Sequence, residues 1–168
     1  MSRALEPRGL LLRPELLGCV LLFAVNDALL KAAYPGWLTG KLSDVGLLVV
    51  APVWLFVALC WLIPRYTEED PASCAPELVA RQRFAALVAS IVLVGGLFTA
   101  MQLTAAGDAF FRHGLGYLQW PARVCWALVR GVTLPAAAPV KATPDPTDLL
   151  CLPMLGVAWW LVVRRSRQ

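Results

Sequence analysis

The sequence predicts an all-α polytopic membrane protein, a four-helix transmembrane bundle carrying a short helix in the membrane interface. Three observations carry that expectation. Of the 168 residues, 59% are hydrophobic and only 15% charged, against about 45–50% and roughly 25% in ordinary soluble domains. Two stretches, 45–64 and 84–107, contain no Asp, Glu, Lys or Arg, and each reaches the roughly 20 residues that cross a ~30 Å hydrocarbon core. The cations, finally, sit at the edges of apolar runs rather than in one stripe. The net charge of +4 therefore reads as a topology signal and not as a nucleic-acid surface.

The elements follow in order. A first span covers about 16–34; Pro14 and Glu15 stand where a cleavable leader needs its apolar region, so this helix is expected to be retained. Pro35 and Gly36 form a tight reversal, and a second span runs over 45–64, with Pro52 placed to kink it. Residues 65–83, which include Glu68, Glu69, Asp70 and Glu77, read as a solvated connection. The third span is 84–107, and its Gly95–Gly96 pair permits close approach of a neighbouring backbone.

Beyond it, Gln119, Arg123, Ala127 and Arg130 recur at helical spacing among Leu118, Trp120, Cys125 and Leu128. This pattern predicts an interfacial helix over about 117–133 with its arginines outward. Pro135, Pro139, Pro144 and Pro146 forbid a regular helix in the segment that leads to a fourth span, 147–163, which Pro153 is placed to kink. Neither a disulfide framework nor a CxxC pair is expected from the five cysteines.

Four spans put both chain ends and the second connection on one side. Arg3, Arg8, Arg13, Arg65, Arg81, Arg83, Arg164, Arg165 and Arg167 all fall there. By the positive-inside rule that side is cytoplasmic, which points to a bacterial inner membrane with N and C termini inside. The partners expected are the lipid bilayer and either a membrane protein or a second copy of the chain; no nucleic acid is expected.

Chemistry concentrates in residues 26–44, NDALLKAAYPGWLTGKLSD. Asp27 and Lys31 are four apart near the end of the first span, while Lys41 and Asp44 are three apart at the start of the second. The reversal brings both acid–base pairs together, with Asn26, Thr39 and Ser43 among them. Asn26 and Asp27 lie about two turns inside the span, where polar groups normally face the bundle interior, so both are expected to be buried.

Gln102, Thr104, Asp108, Arg112 and His113 close the third span, and Asp145, Thr147 and Asp148 open the fourth. A shared polar pocket, open outward, is the expectation. Each group has a plainer role beside it. Asp145 followed by Pro146 fits a helix start, Asp108 and Arg112 fit an i, i+4 surface pair, Lys31 and Lys41 fit cations reaching for headgroups, and His113 fits a loop histidine.

Familiar catalytic patterns are missing. Ser43 and Lys41 are two apart and so on different helical faces, and a single histidine leaves a hydrolytic triad dependent on His113. Gly40-Lys41-Leu42-Ser43 lacks the upstream glycine of a phosphate loop, since Pro35 stands at that spacing. Five carboxylates (Asp27, Asp44, Asp108, Asp145, Asp148) form a set that hard cations favour, without a recognised spacing, and no cofactor is named.

The string N-D-x-x-L-K-x-x-x-P-G-x-L-T-G-K-L-S-D, Asn26 to Asp44, together with D-P-T-D-L at Asp145 to Leu149, resembles the pattern of a family of small bacterial multi-span membrane proteins. The resemblance covers the first hairpin and the start of the fourth span, and brings no activity with it. On the residues themselves, the expected function is small-ligand or ion binding or transport, or service as an accessory membrane subunit. The alternative is an envelope enzyme acting on a lipid headgroup or lipid-linked substrate, with Asp27 or Asp44 as general base and Lys31 or Lys41 facing a phosphate.

Overall fold

The computed structural model describes residues 9–34, 36–62 and 76–164. Pro35, the second connection up to residue 75 and both tips of the chain lie outside them. Every regular element among the described residues is helical, and four helices are long and apolar enough to cross a membrane: Pro14–Ala33, Trp37–Leu62, Leu78–Leu103 and Pro146–Val163. The fold class is the one the composition demands, an all-helical membrane protein with four spans.

Local chemistry sets the boundaries. Arg13 is extended and Pro14 opens α1 (Pro14–Val25), with Glu15 in the first turn. There the missing proline N–H costs nothing and the acid meets the positive end of the helix dipole. The helix does not continue regularly: Asn26–Leu30 form a π-helical turn in which the Lys31 N–H bonds to the Asn26 carbonyl, followed by one α-turn, Lys31–Ala33.

The second span, α2, is Trp37–Leu62, 26 residues including Pro52, or ~39 Å at 1.5 Å per residue. It starts well before residue 45, so the helix itself contains Lys41 and Asp44 in its early turns, as expected, and only its boundary moves. α3, Pro76–Leu103, likewise begins inside the expected connection and carries Arg81 and Arg83. α4 is Ala105–Arg130. A 3-10 turn, Pro146–Cys151, precedes α5, Met154–Val163, with Pro153 at its cap. The fourth span therefore changes helix type next to Pro153 instead of kinking within one helix.

The chain divides into two compact units, one of Met1–Gly95 and Leu150–Gln168, the other of Gly96–Leu149. In the first, all four spans supply the core: Leu16 of α1, Val49, Val53, Phe56 and Val57 of α2, Ala86 and Leu87 of α3, Ala158, Leu161 and Val162 of α5. α2 is its axis, with α1 and α5 both packed against it. Between spans in lipid no hydrophobic gain remains, so close van der Waals packing at small residues holds helices together. Gly46 shows this, since a Cβ there would lie 3.0 Å from Phe23 Cβ. Arg13 Nη1 donates to the Leu161 carbonyl at 2.7 Å, which puts the start of α1 and the end of α5 at one end of this unit.

The second unit turns sharply at Thr104. Its Oγ1 accepts from Gly107 N at 3.0 Å and donates to the Ala100 carbonyl at 2.8 Å, so one hydroxyl both ends α3 and caps α4. α4 is longer than the helix expected at 117–133 because this cap lies inside what the uncharged run presents as span. The helix ends at Gly131, where Val132 N bonds back to the Ala127 carbonyl at 3.1 Å, as in a Schellman cap.

Residues 132–145 run back along α4. Trp120 Nε1 donates to the Pro135 carbonyl at 2.8 Å, a Cβ on Gly116 would collide with the Ala138 carbonyl, and Arg112 exchanges bonds with Val140 through Nε and its own carbonyl, both 3.0 Å. An extended strap covers one face of the helix. The opposite face exposes Phe110, Tyr117, Leu118, Leu128 and Val129.

Candidate functional site: the Asn26–Asp44 hairpin

At the π-helical turn, Asn26 is fully buried. Its Nδ2 donates to the Thr39 carbonyl at 2.7 Å and to Ser43 Oγ at 2.8 Å, joining α1 to the first turns of α2. A carbonyl only accepts, so this contact fixes which amide atom is nitrogen. The other end of the amide, Oδ1, is buried and has no hydrogen-bond donor in the protein. Such a group carries a desolvation cost of about 1–3 kcal/mol.

Thr39 is nearly buried as well and organises the reversal. Its Oγ1 shares its one proton between the carbonyls of Tyr34 (3.1 Å) and Gly36 (2.9 Å) and accepts from Gly36 N (3.1 Å). The T-G-K-L-S run thus supplies two hydroxyls one turn apart with separate tasks: Thr39 Oγ1 ties the reversal, and Ser43 Oγ meets Asn26.

Lys41 is 7% exposed and belongs to a buried Lys–Asp cluster. Its ammonium lies 5.7 Å from the centroid of the Trp37 ring one turn earlier, a cation–π arrangement. Below it, buried Cys151 Sγ approaches the Lys41 carbonyl at 3.9 Å. Asp44 is engaged too.

Asp27 departs from expectation. It is exposed and pairs with Lys31 at 2.7 Å, the two side chains being 54% and 40% exposed. It directly follows buried Asn26, and one position turns a side chain by about 100°, enough here to carry it from the packed side to the exposed side. The helix presents its amide to the protein and its ion pair to the surroundings.

The remaining candidates lie in the second unit, Gly96–Leu149. Gln102, 4% exposed, donates from Nε2 to Asp148 Oδ2 and accepts from Asp145 N at Oε1, both at 2.8 Å. Asp145 Oδ1 accepts from Thr147 N at 2.9 Å and Thr147 Oγ1 at 2.8 Å, and Asp148 N bonds to the Asp145 carbonyl. Asp145 thus opens the fourth span as a cap. Asp108 is mostly buried and 3.6 Å from Arg112, with Oδ1 lacking a donor in the protein; His113 stands exposed on α4.

Sequence reasoning missed the role of one contributor and missed a second altogether. Gln102 reads as one more polar residue at a span end, yet it clamps the turn after the strap. Trp37 drew no expectation, yet its ring lies against the Lys41 ammonium; its signal is the i, i+4 spacing to Lys41, repeated in Trp126–Arg130 and Trp160–Arg164, whose cations lie 5.0 and 4.8 Å over their rings.

No family model, curated protein or solved structure matches this chain. Among the described residues no group of three His, Cys, Asp or Glu is placed to hold a metal ion. The site's chemistry is that of one open amide oxygen, two hydroxyls and a covered ammonium.

Proposed function

We propose that this chain is a multi-pass protein of the bacterial inner membrane whose first helical hairpin binds a small polar ligand or ion on the outer side, with both termini in the cytoplasm. One observation carries the reading. The Asn26 amide is anchored by both of its donors and leaves a buried acceptor open, and buried polar groups left unsatisfied in folded proteins call for an explanation. The covered Lys41 ammonium two residues from Thr39 adds a second costly group to the same hairpin.

Below Gly46 the buried side chains of α2 are Leu48, Val49, Pro52, Val53, Phe56 and Val57. Buried Ser90 of α3 returns its hydroxyl to its own helix at Leu87. This lining favours binding over passage through the unit. Asp27 and Lys31, a base and a phosphate-facing cation of the envelope-enzyme alternative, are instead closed on each other at 2.7 Å, which lends nothing to that alternative.

A second reading, an accessory subunit docked through the end of the first span, draws support from the exposed Asp27–Lys31 pair, because charges in a span normally face protein or water.

The test is thermal unfolding of the full chain in detergent against a panel of polar amines, salts and phospholipids, with wild type, Ser43→Ala and Lys31→Met. A ligand-dependent rise in wild type that falls in Ser43→Ala and persists in Lys31→Met upholds binding at the hairpin. A panel without effect, joined to capture of a membrane partner that Lys31→Met abolishes, replaces it with the accessory role.

A further inference from the structure

We infer that the open oxygen of Asn26 takes a small monovalent cation, held among neutral oxygens at the π-helical turn. The inference rests on the reading of the hairpin as a ligand site and narrows the ligand to one chemical class. The orientation of the amide is not adjustable: turning it over would point Oδ1 at the Thr39 carbonyl, acceptor against acceptor, where Nδ2 now donates at 2.7 Å. Both N–H groups are spent on Thr39 and Ser43. Whatever meets Oδ1 must bring positive charge or a proton to donate.

The surroundings select among such species. Divalent cations draw carboxylates, but the nearest carboxylate in sequence, Asp27, is bound to Lys31 at 2.7 Å. Among the described residues no three acidic, His or Cys groups gather at one point. The amide's own partners are uncharged: the Ser43 hydroxyl, 2.8 Å from its nitrogen, and the Thr39 carbonyl, beside a backbone whose helical bonding is reset, with Lys31 N reaching back five residues to the Asn26 carbonyl. π-Helical turns within α-helices recur at functional sites. In membrane proteins, irregular helical backbone lining a site coordinates singly charged ions, since the cost of burying charge among neutral oxygens rises steeply with ionic charge.

The experiment uses the full chain in detergent with choline chloride as background, replaced at constant ionic strength by NaCl, KCl or NH4Cl. At saturation, at least one of the three raises the unfolding midpoint by about 4–8 °C. Asn26→Leu abolishes the increment. Ser43→Ala, which keeps the Thr39 contact and the open oxygen, shifts it to higher salt.

Equal midpoints for wild type in all four salts overturn the inference. If that result comes with a rise from an amine or lipid of the wider panel that Ser43→Ala weakens, the hairpin remains a ligand site and only the cation is wrong. Equal midpoints, a silent panel and an Asn26→Leu variant less stable than wild type overturn both, leaving the amide a helix clamp.

Discussion

The carboxamide nitrogen of Asn26 lies 2.7 Å from the carbonyl oxygen of Thr39, so the end of the first span and the start of the second are fastened by a side chain that reaches across their reversal. Asn26 stands apart from its neighbour Asp27. Asn26→Ala removes two buried bonds and lowers stability by about 2–4 kcal/mol. Asp27→Asn, which opens an exposed ion pair, costs no more than about 1 kcal/mol. Reversible unfolding in mixed micelles measures both, and equal losses would show that the amide is no better anchored than the carboxylate.

Lysines 31 and 41 make a second contrast. Replacing buried Lys41 with Met leaves acid without its counter-charge in a covered place and costs about 3–5 kcal/mol. Lys31→Met releases an exposed partner and is nearly silent. Protease resistance of the purified variants ranks them; a Lys41→Met protein as resistant as wild type would mean that its ammonium is not part of the clamp.

Close packing of α1 on α2 is tested at two glycines. Gly46→Ala sets a methyl 3.0 Å from Phe23 Cβ and costs about 1–3 kcal/mol. Gly18→Ala, where nothing lies within 4 Å, gains up to about 1 kcal/mol from helix propensity. Opposite signs in thermal midpoint are expected.

Gln102→Leu removes both bonds that hold Asp145 and Asp148. Amide exchange at residues 145–149 should quicken by about tenfold or more, as expected for losing roughly 1–3 kcal/mol of local protection. Exchange along α4 beyond residue 116 should stay as it was. A uniform change across the second unit would assign Gln102 to its general stability instead.

The spans and their class were legible because lipid imposes one strong rule, an uncharged run of sufficient length, and 45–64 and 84–107 obey it. The same rule blurred their ends. α2 extends back through Lys41 and Asp44 because Thr39 and Asn26 satisfy the groups of the reversal, and α3 stops at Thr104 because a hydroxyl caps the next helix; neither event alters hydropathy. The polar residues of the hairpin were legible by type, and Asn26 by depth. The outward turn of Asp27 was not, since a helix interrupted by a π-turn does not keep the facing that a 3.6-residue period assigns. Gln102 stayed hidden because its partners lie 43 and 46 residues away, beyond the reach of local pattern.

The bond from Arg13 to the Leu161 carbonyl spans 148 positions of sequence. On a ribosome, the arginine that opens the first span emerges long before its acceptor exists. Until the last helix has entered the bilayer, the core side chains of α2 that meet Ala158, Leu161 and Val162 have only lipid against them. Completion of the bundle therefore waits for the last helix, and a nascent chain stalled before the fourth span leaves this surface of α2 unmated.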